Sequence, residues 1–193
     1  MEVVLLGRPN VGKTLLLLNF AAYLGANEII RHEMDHRSTK VPMERARREL
    51  VSFVGHKVVD PITVTIERKS NSGREPLVFF DGAGVAEGIH PDYRVRRAIA
   101  ETLDRLGSAE VVLHVVDSGQ YPVASLDDAL CGLIGRIAPS LILANKIDLH
   151  HETALKALRL HFAGHTVLPL SGLTRRGFRE LKQDLYQRMD QRG

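Results

Sequence analysis

Hydrophobic and polar positions follow two rhythms along this chain. Apolar runs of strand length occur at 3–6, 62–68, 77–81, 111–117, 141–145 and 167–170. Stretches with helical spacing of apolar residues occur at 12–23, 93–106, 125–137, 152–162 and 176–189. Because the two kinds of segment alternate, the pattern predicts a three-layer α/β fold. Its mostly parallel sheet would have six strands, with helices on both faces.

Two stretches depart from this alternation. Residues 70–73 read SNSG between two strand candidates, which predicts a hairpin turn and hence one antiparallel strand. Residues 26–60 are long, polar and irregular for a single connection, and such connections are usually functional or mobile. Within them, 43–50 could form a short helix, either a solvated surface helix with mixed charges or a partner-binding element. No linker or repeat interrupts the 193 residues, so we expect one domain, 1–193.

The composition is that of an ordinary soluble globular protein, with 44% apolar and 25% charged residues. The net charge of +3 permits nucleic acid or an acidic surface as a partner, but it is not the dense basic patch that counterion-release binding needs. Cys131 is the single cysteine, which excludes an intramolecular disulfide and favours a reducing compartment. The first strand leaves no room for a signal peptide, and no apolar stretch is long enough to cross a bilayer. We therefore expect a cytoplasmic protein.

The segment 7–14 carries the clearest chemistry. Its sequence, GRPNVGKT, fits GxxxxGK[ST] and follows the first strand candidate. Glycines let the backbone curl until successive N–H groups face a phosphate, and the helix that starts near Gly12 adds its positive end. Lys13 can reach the β- and γ-phosphates, and the Thr14 hydroxyl can bind Mg²⁺. The predicted phosphate-binding residues are Gly7, Asn10, Val11, Gly12, Lys13 and Thr14.

A second string, NKID, begins at the end of a later strand candidate, where side chains project into the crevice of an α/β sheet. There Asp148 can accept from the N1–H and the exocyclic amine of guanine, a donor pair that adenine lacks. Asn145 can bridge loop and base, and the Lys146 stem can pack along the purine face. After the final strand, the segment Ser171-Gly172-Leu173 can offer backbone N–H groups, foremost those of Ser171 and Gly172, to the guanine carbonyl oxygen. These residues predict a guanine site.

Two looser strings add the expected metal and γ-phosphate contacts. In DGAG, Asp81 can hold a Mg²⁺-bound water and the Gly84 N–H can contact the γ-phosphate. DPIT ends at Thr63, whose hydroxyl can join Mg²⁺ only when γ-phosphate is present, which supplies an order-to-disorder switch. Thr65 is an alternative to Thr63, and Thr39 a more distant one. The predicted metal ligands are Thr14, Thr63 and Asp81.

With these strings in this order, the chain resembles a Ras-type G domain, nearest the bacterial Era, MnmE and FeoB branch of the translation-factor-related GTPases. The resemblance runs from GRPNVGKT through DPIT, DGAG and NKID to SGL and covers nearly the whole chain. It implies a P-loop NTPase fold and hydrolysis of GTP to GDP and phosphate with Mg²⁺. It also implies catalytic contacts from Lys13, Thr63 and Gly84, and a switch I connection at 26–62 that engages a protein effector.

The chain departs from related G domains at three points. Val85 stands where Ras has a water-orienting glutamine, so hydrolysis should be slow, and the Era-like branch commonly has a hydrophobic residue here. Asn10 stands where relatives use an asparagine to bind K⁺, and we hypothesise that K⁺ supplies the missing positive charge; the alternative is that Asn10 only stabilises the loop. Residues 26–62 form a longer connection than in those relatives.

No RNA-binding or channel domain follows the last helix, so RNA binding and iron transport are not carried over. Dimerisation across the nucleotide face occurs in this branch, and nothing in the sequence demonstrates it.

Residues 32–36, HEMDH, fit the zinc-peptidase pattern HExxH, in which Glu33 would act as general base. Asp35 and the polar surroundings argue against it, because that helix normally packs its intervening positions into a core. His161 and His165 are expected to be surface residues at a helix end.

Three functions remain open from sequence. The first is a GTPase switch, and the second is a guanine-nucleotide-dependent binding or scaffold module with negligible hydrolysis, which Val85 allows. The third is a P-loop ATPase or kinase, which would prefer adenine. The nucleotide base and the hydrolysis rate distinguish the three.

Overall fold

The computed structural model describes residues 1–32, 37–50, 61–70, 73–120, 122–150 and 152–191. Its strands are β1 Glu2–Leu6, β2 Glu28–His32, β3 Ser38–Pro42, β4 Ile62–Ser70, β5 Gly73–Asp81, β6 Val111–Asp117, β7 Ser140–Asn145 and β8 Val167–Pro169. Its helices are α1 Lys13–Tyr23, α2 Met43–Leu50, α3 Tyr93–Asp104, α4 Ser125–Ile134, α5 Glu152–His161 and α6 Phe178–Asp190, and a 3₁₀ turn, Arg105–Gly107, extends α3.

The strands form one sheet in the order β3-β2-β4-β5-β1-β6-β7-β8. β5, β1, β6, β7 and β8 are mutually parallel, so their carboxyl ends meet at one edge of the sheet. The loops that follow Leu6, Asp81, Asp117 and Asn145 therefore lie side by side. Ligands of α/β sheets bind at such an edge.

Helices cover both faces, as the apolar spacing predicted. Phe20 of α1 and Phe178 of α6 pack in edge-to-face contact, with ring centroids 5.2 Å apart, over Leu5 and neighbouring strand residues. On the opposite face, Leu6 packs with Leu130 of α4. The three-layer prediction is therefore confirmed. Among the described residues, no helix combines the length and the apolar character needed to cross a membrane.

The prediction of six strands with one antiparallel strand was wrong. The sheet has eight strands, because the connection 26–60 contributes β2 and β3. β2 pairs antiparallel to β4, and β3 pairs antiparallel to β2, so β3 and β4 both run against the other strands. Each of these two short strands has one buried residue, Ile29 in β2 and Val41 in β3. With so little apolar signal, the stretch looked irregular.

Two local predictions inside this region were confirmed. Ser70 pairs with Gly73, which closes the β4–β5 hairpin around the turn predicted at 70–73. The short helix predicted at 43–50 is present as α2, which buries Met43 and Ala46. Its charged residues are exposed except Arg47, which is partly buried. Of the HExxH string, Glu33 to His36 lie outside the described residues. Among the residues that are described, no cluster of three or more His, Cys, Asp or Glu side chains could hold a metal ion.

Candidate nucleotide site

The phosphate loop connects β1 to α1. Gly12 caps α1 with φ +91°, a left-handed conformation that favours glycine, and a side chain there would begin 2.6 Å from Asn145 Nδ2. No side chain caps α1, and its first turn holds no acidic residue. The helix N-terminus therefore keeps backbone donors and a positive potential for an anion.

Lys13 is folded into this loop. Its side chain is buried, and Nζ donates to the carbonyl oxygens of Gly7 at 3.2 Å and Arg8 at 3.0 Å. Burial lowers the pKa of Lys13, while the nearby Asp81 carboxylate acts in the opposite direction. A phosphate arriving in the loop would supply the negative charge that this buried ammonium lacks.

Thr14 and Asp81, two of the three predicted metal ligands, lie in contact with each other. Thr14 Oγ1 donates to Asp81 Oδ2 at 2.6 Å, and Asp81 Oδ1 is buried without a hydrogen-bond partner among the described residues. Burial raises the pKa of Asp81, and the Lys13 charge and the Thr14 hydrogen bond work against that rise. A hydroxyl beside an unsatisfied carboxylate oxygen fits Mg²⁺, which prefers oxygen ligands.

The DGAG loop lies against the phosphate loop. The Val85 N–H donates to Gly7 O at 3.1 Å. A Cβ on Gly84 would lie 2.7 Å from Pro9 N and 3.0 Å from Lys13 Nζ. Gly84, whose N–H is the predicted contact to the γ-phosphate, thus lies directly against the phosphate loop. The Val85 side chain packs into the apolar cluster that contains Leu6, so it offers no group to a water molecule.

Asn145 joins three loops. Its side chain is 3% exposed, Nδ2 donates to Val11 O at 2.8 Å, and Oδ1 accepts from Gly172 N–H at 2.8 Å. One buried amide therefore links the phosphate loop, the NKID loop and the loop after β8. Each of its polar atoms has a partner, which makes the linkage specific.

Lys146 and Asp148 follow in the base loop. Lys146 has φ +68°, and its Nζ donates to Asn10 O at 2.7 Å and to Asp117 Oδ2 at 2.8 Å. Asp148 is exposed, so its carboxylate is accessible to an incoming base. The two loops predicted to hold phosphate and base are therefore adjacent in space.

The loop after β8 is bonded within the protein. The Ser171 N–H donates to Arg176 O at 2.9 Å, and the Gly172 N–H donates to Asn145 Oδ1. The expectation that these two N–H groups face a guanine carbonyl is not met in this structure. Their observed role is to fix the loop, which Asn19 also holds by donating to Gly172 O at 2.7 Å.

Thr63 does not join Thr14 and Asp81. It lies inside β4, paired with Phe80, and its Oγ1 is 2.7 Å from His32 Nε2. Phe80 packs on the sheet face opposite α1, and side chains of paired residues share a face, so Thr63 points away from Asp81. In this conformation Thr63 is therefore not beside the other two predicted ligands, because β4 already begins at Ile62. Its role as a metal ligand when γ-phosphate is present stays a prediction.

The two alternatives to Thr63 also lie within strands. Thr65 lies farther along β4, opposite Val78, and Thr39 lies in β3, opposite Arg31.

Burial lowers the pKa of His32, and the nearby Arg105 lowers it further, which favours a neutral ring beside the Thr63 hydroxyl.

Sequence reasoning missed two groups of residues at this edge. Asp117 ends β6 and binds Lys146, although its position directly after an apolar strand is the same signal that marked Asp81. Below the phosphate loop, buried Asp127 of α4 lies 3.7 Å from Arg8 Nη1 and 3.4 Å from the buried His114 Nε2. No sequence pattern linked these last three residues, because they come from separate segments.

Comparison with known proteins agrees with this geometry. A model of the family described as 50S ribosome-binding GTPase matches residues 2–146. The tRNA modification GTPase MnmE of Symbiobacterium thermophilum is 28% identical over 185 residues, which cover 96% of this chain and 34% of that protein. The GTPase Der of Xanthomonas axonopodis is 29% identical over 196 residues, covering 99% of this chain and 35% of Der. This chain thus spans about a third of the length of these relatives.

Solved structures share the fold. The G domain of the T. maritima iron transporter FeoB superposes with a TM-score of 0.61 at 20% identity, covering 98% of both chains. Era, in a complex with MgGDPNP and 16S ribosomal RNA nucleotides, superposes with a TM-score of 0.67 at 18% identity, covering 96% of this chain and 55% of Era. The resemblance predicted from the sequence strings is confirmed. The chain carries a P-loop G domain and belongs to the 50S ribosome-binding GTPase family.

Proposed function

We propose that this GTPase-family domain hydrolyses GTP to GDP and phosphate and acts as a nucleotide-dependent switch. The observation that supports this best is the buried Asn145 amide, which ties the phosphate loop to the NKID loop through Val11 O and Gly172 N–H. A single ligand with an anionic tail and a purine head would span the two loops. GTP has that shape, and NKID has the guanine-reading carboxylate.

In this proposal each group of the site has its own role. Lys13 moves from its carbonyl partners to the β- and γ-phosphate oxygens, where its charge is neutralised. Thr14 and Asp81 would hold Mg²⁺, which when bound offsets charge on the phosphate oxygens. The Gly84 N–H donates to the γ-phosphate, and Asp148 accepts from the guanine N1–H and amine.

Hydrolysis by the isolated domain is expected to be slow. The side chain at position 85 is buried in the core and cannot orient the attacking water. We propose that K⁺, bound with the help of the exposed Asn10 side chain, supplies positive charge at the phosphates. Turnover would then rise about tenfold or more when Na⁺ is replaced by K⁺. Equal turnover in the two salts would contradict this part of the proposal.

A second candidate function is a guanine-nucleotide-dependent binding module without significant hydrolysis. The buried Val85 favours it, because this apolar side chain cannot orient the attacking water. Single-turnover GTP hydrolysis in K⁺ buffer distinguishes the two: a GDP product that accumulates with the wild type, but not with Lys13→Ala, supports the enzyme. In either case the surface around 26–62 and the DGAG loop is the proposed effector site.

Base preference tests the proposal directly. Tight binding of Mg·GDP should raise the melting temperature far more than Mg·ADP at equal concentration. Asp148→Asn should weaken GDP and favour xanthosine diphosphate, because a donor replaces the acceptor that guanine needs. Asp104→Asn, an exposed carboxylate at the end of α3, is the matched control. Equal stabilisation of the wild type by GDP and ADP would overturn the guanine assignment.

A further inference from the structure

The carboxylate of Asp117 occupies a central position beside the base loop. Asp117 Oδ2 accepts from Lys146 Nζ at 2.8 Å. Asp117 Oδ1 lies 3.1 Å from His150 Nε2 and also accepts from the Gly119 N–H at 3.0 Å. The two oxygens thus hold different partners, and all of these groups are only partly exposed.

The two side-chain partners have a particular spacing. Lys146 and His150 lie two residues before and two residues after Asp148, the proposed reader of guanine. Between them the Leu149 N–H donates to Lys146 O at 2.9 Å, which closes a turn. One carboxylate on β6 therefore fastens both ends of the turn that presents Asp148.

The His150 ring is also packed in place. It lies over Gly119, so closely that a Cβ at that position would overlap the ring. Partial burial works to raise the pKa of Asp117, but the hydrogen bonds from Lys146 and from Gly119 N–H lower it below the usual value. Asp117 is thus an ionised acceptor at neutral pH, with its two oxygens committed to these contacts.

We propose that Asp117 and His150 are positioning residues for guanine recognition, which set the place of Asp148 by holding the base loop at both ends. This inference rests on the proposed function, because it requires Asp148 to read the base. Lys146 further connects the same carboxylate to the phosphate loop through Asn10 O, at 2.7 Å. The alignment of base and phosphate contacts would then depend on Asp117.

The test compares GDP with inosine diphosphate, which lacks the exocyclic amine and so removes one of the two donors to Asp148. Equilibrium affinities for both nucleotides and the GDP dissociation rate are measured with the full chain. His150→Ala is expected to lower GDP affinity about fivefold and to bring the ratio of GDP to inosine diphosphate affinity closer to one. Asp117→Asn is expected to lower GDP affinity about tenfold and to bring the same ratio closer to one.

Two further variants separate positioning from general stability. His150→Gln keeps a side-chain N–H donor near the position of Nε2 and should restore most of the ratio. His161→Ala removes another partly exposed histidine, paired with Asp128 on the surface of α4 and α5, and should leave the ratio unchanged. A merely structural role of His150 would lower the melting temperature without changing the ratio.

The outcomes are distinct. If the wild type binds GDP and ADP equally, the proposed function fails. If the wild type prefers GDP over ADP but His150→Ala and Asp117→Asn keep its ratio of GDP to inosine diphosphate affinity, the positioning role is refuted while the function stands. His150→Ala decides alone if Asp117→Asn does not fold.

Discussion

At Gly84 there is no room for a side chain, because the phosphate loop lies directly against this residue. An added Cβ would lie 2.7 Å from Pro9 N and 3.0 Å from Lys13 Nζ, so the DGAG loop would have to move away. The Gly84 N–H would then lose the contact with the γ-phosphate that we propose for it, while the proposed guanine contacts would remain. The steric demand therefore affects the reaction more than the binding of GDP.

For Gly84→Ala we expect the single-turnover rate of GTP hydrolysis to fall at least about tenfold, since one donor to the transition state is lost. GDP affinity should change much less. The control is Gly107→Ala, because a Cβ there meets no atom within 4 Å. An unchanged hydrolysis rate for Gly84→Ala would show that this N–H does not act in the reaction.

Asp117 gives a prediction for the pH dependence of stability. Its pKa is lowered in the folded protein, so its ionised form stabilises the fold above the usual carboxylate range. This contribution is lost as the pH falls through the lowered value, that is, below about pH 4. The wild type should therefore be more stable than Asp117→Asn at pH 7, and the difference should shrink at pH 3. Urea unfolding of both proteins at the two pH values measures it, and a difference that grows in acid would contradict the sign.

Individual site residues differed in how far sequence could place them. Lys13, Thr14, Asn145 and Asp81 were predicted because each lies directly at the end of a strand or the start of a helix, and a parallel sheet brings those ends together. The position of Thr63 inside β4 was not predicted, because the start of β4 depends on its pairing with β2 and β5, which the local sequence does not encode.

At the scale of elements, β6 and α4 are joined by a buried polar contact under the phosphate loop. His114 and Asp127 are almost fully buried and lie within ion-pair distance, but neither His114 nitrogen has a hydrogen bond among the described residues. Asp127 is also the ion-pair partner of Arg8. Removing only the carboxylate would take the nearby negative charge away from the Arg8 guanidinium and from the buried His114 ring.

Asp127→Leu should therefore lower the free energy of unfolding by about 3 kcal/mol. Adding His114→Phe removes one stranded polar group and should recover at least about 1 kcal/mol. Urea unfolding of the two single variants and the double variant gives the coupling free energy between Asp127 and His114. Effects that add within about 0.5 kcal/mol would mean that the two side chains do not interact.

The elements that sequence predicted well are those whose burial is strong. β1, β6 and β7 are nearly continuous apolar runs, as central parallel strands should be, and α6 shows its apolar face at Phe178, Leu181 and Leu185. β2 and β3 lie toward one end of the sheet and bury one residue each, so their strand character comes from pairing rather than from hydrophobic pattern.

For the molecule as a whole, the site depends on contacts between segments far apart in sequence. Asn145 links Val11 to Gly172, Lys146 links Asn10 to Asp117, and Val85 bonds to Gly7. Loops joined in this way should become ordered together when a nucleotide bridges them. We therefore expect phosphate binding and base binding to be interdependent.

Asn145→Ala tests this interdependence. The loss of the amide leaves the Val11 carbonyl and the Gly172 N–H unpaired in a buried place, which should destabilise the protein by about 1–3 kcal/mol. In hydrogen exchange with Mg·GDP, protection should fall together in the phosphate loop, the NKID loop and the loop after β8. Asn19→Ala is the control, because it removes only the contact between α1 and Gly172 O. If Asn145→Ala lowers protection in the NKID loop alone, the loops act separately and base and phosphate binding are not coupled through this amide.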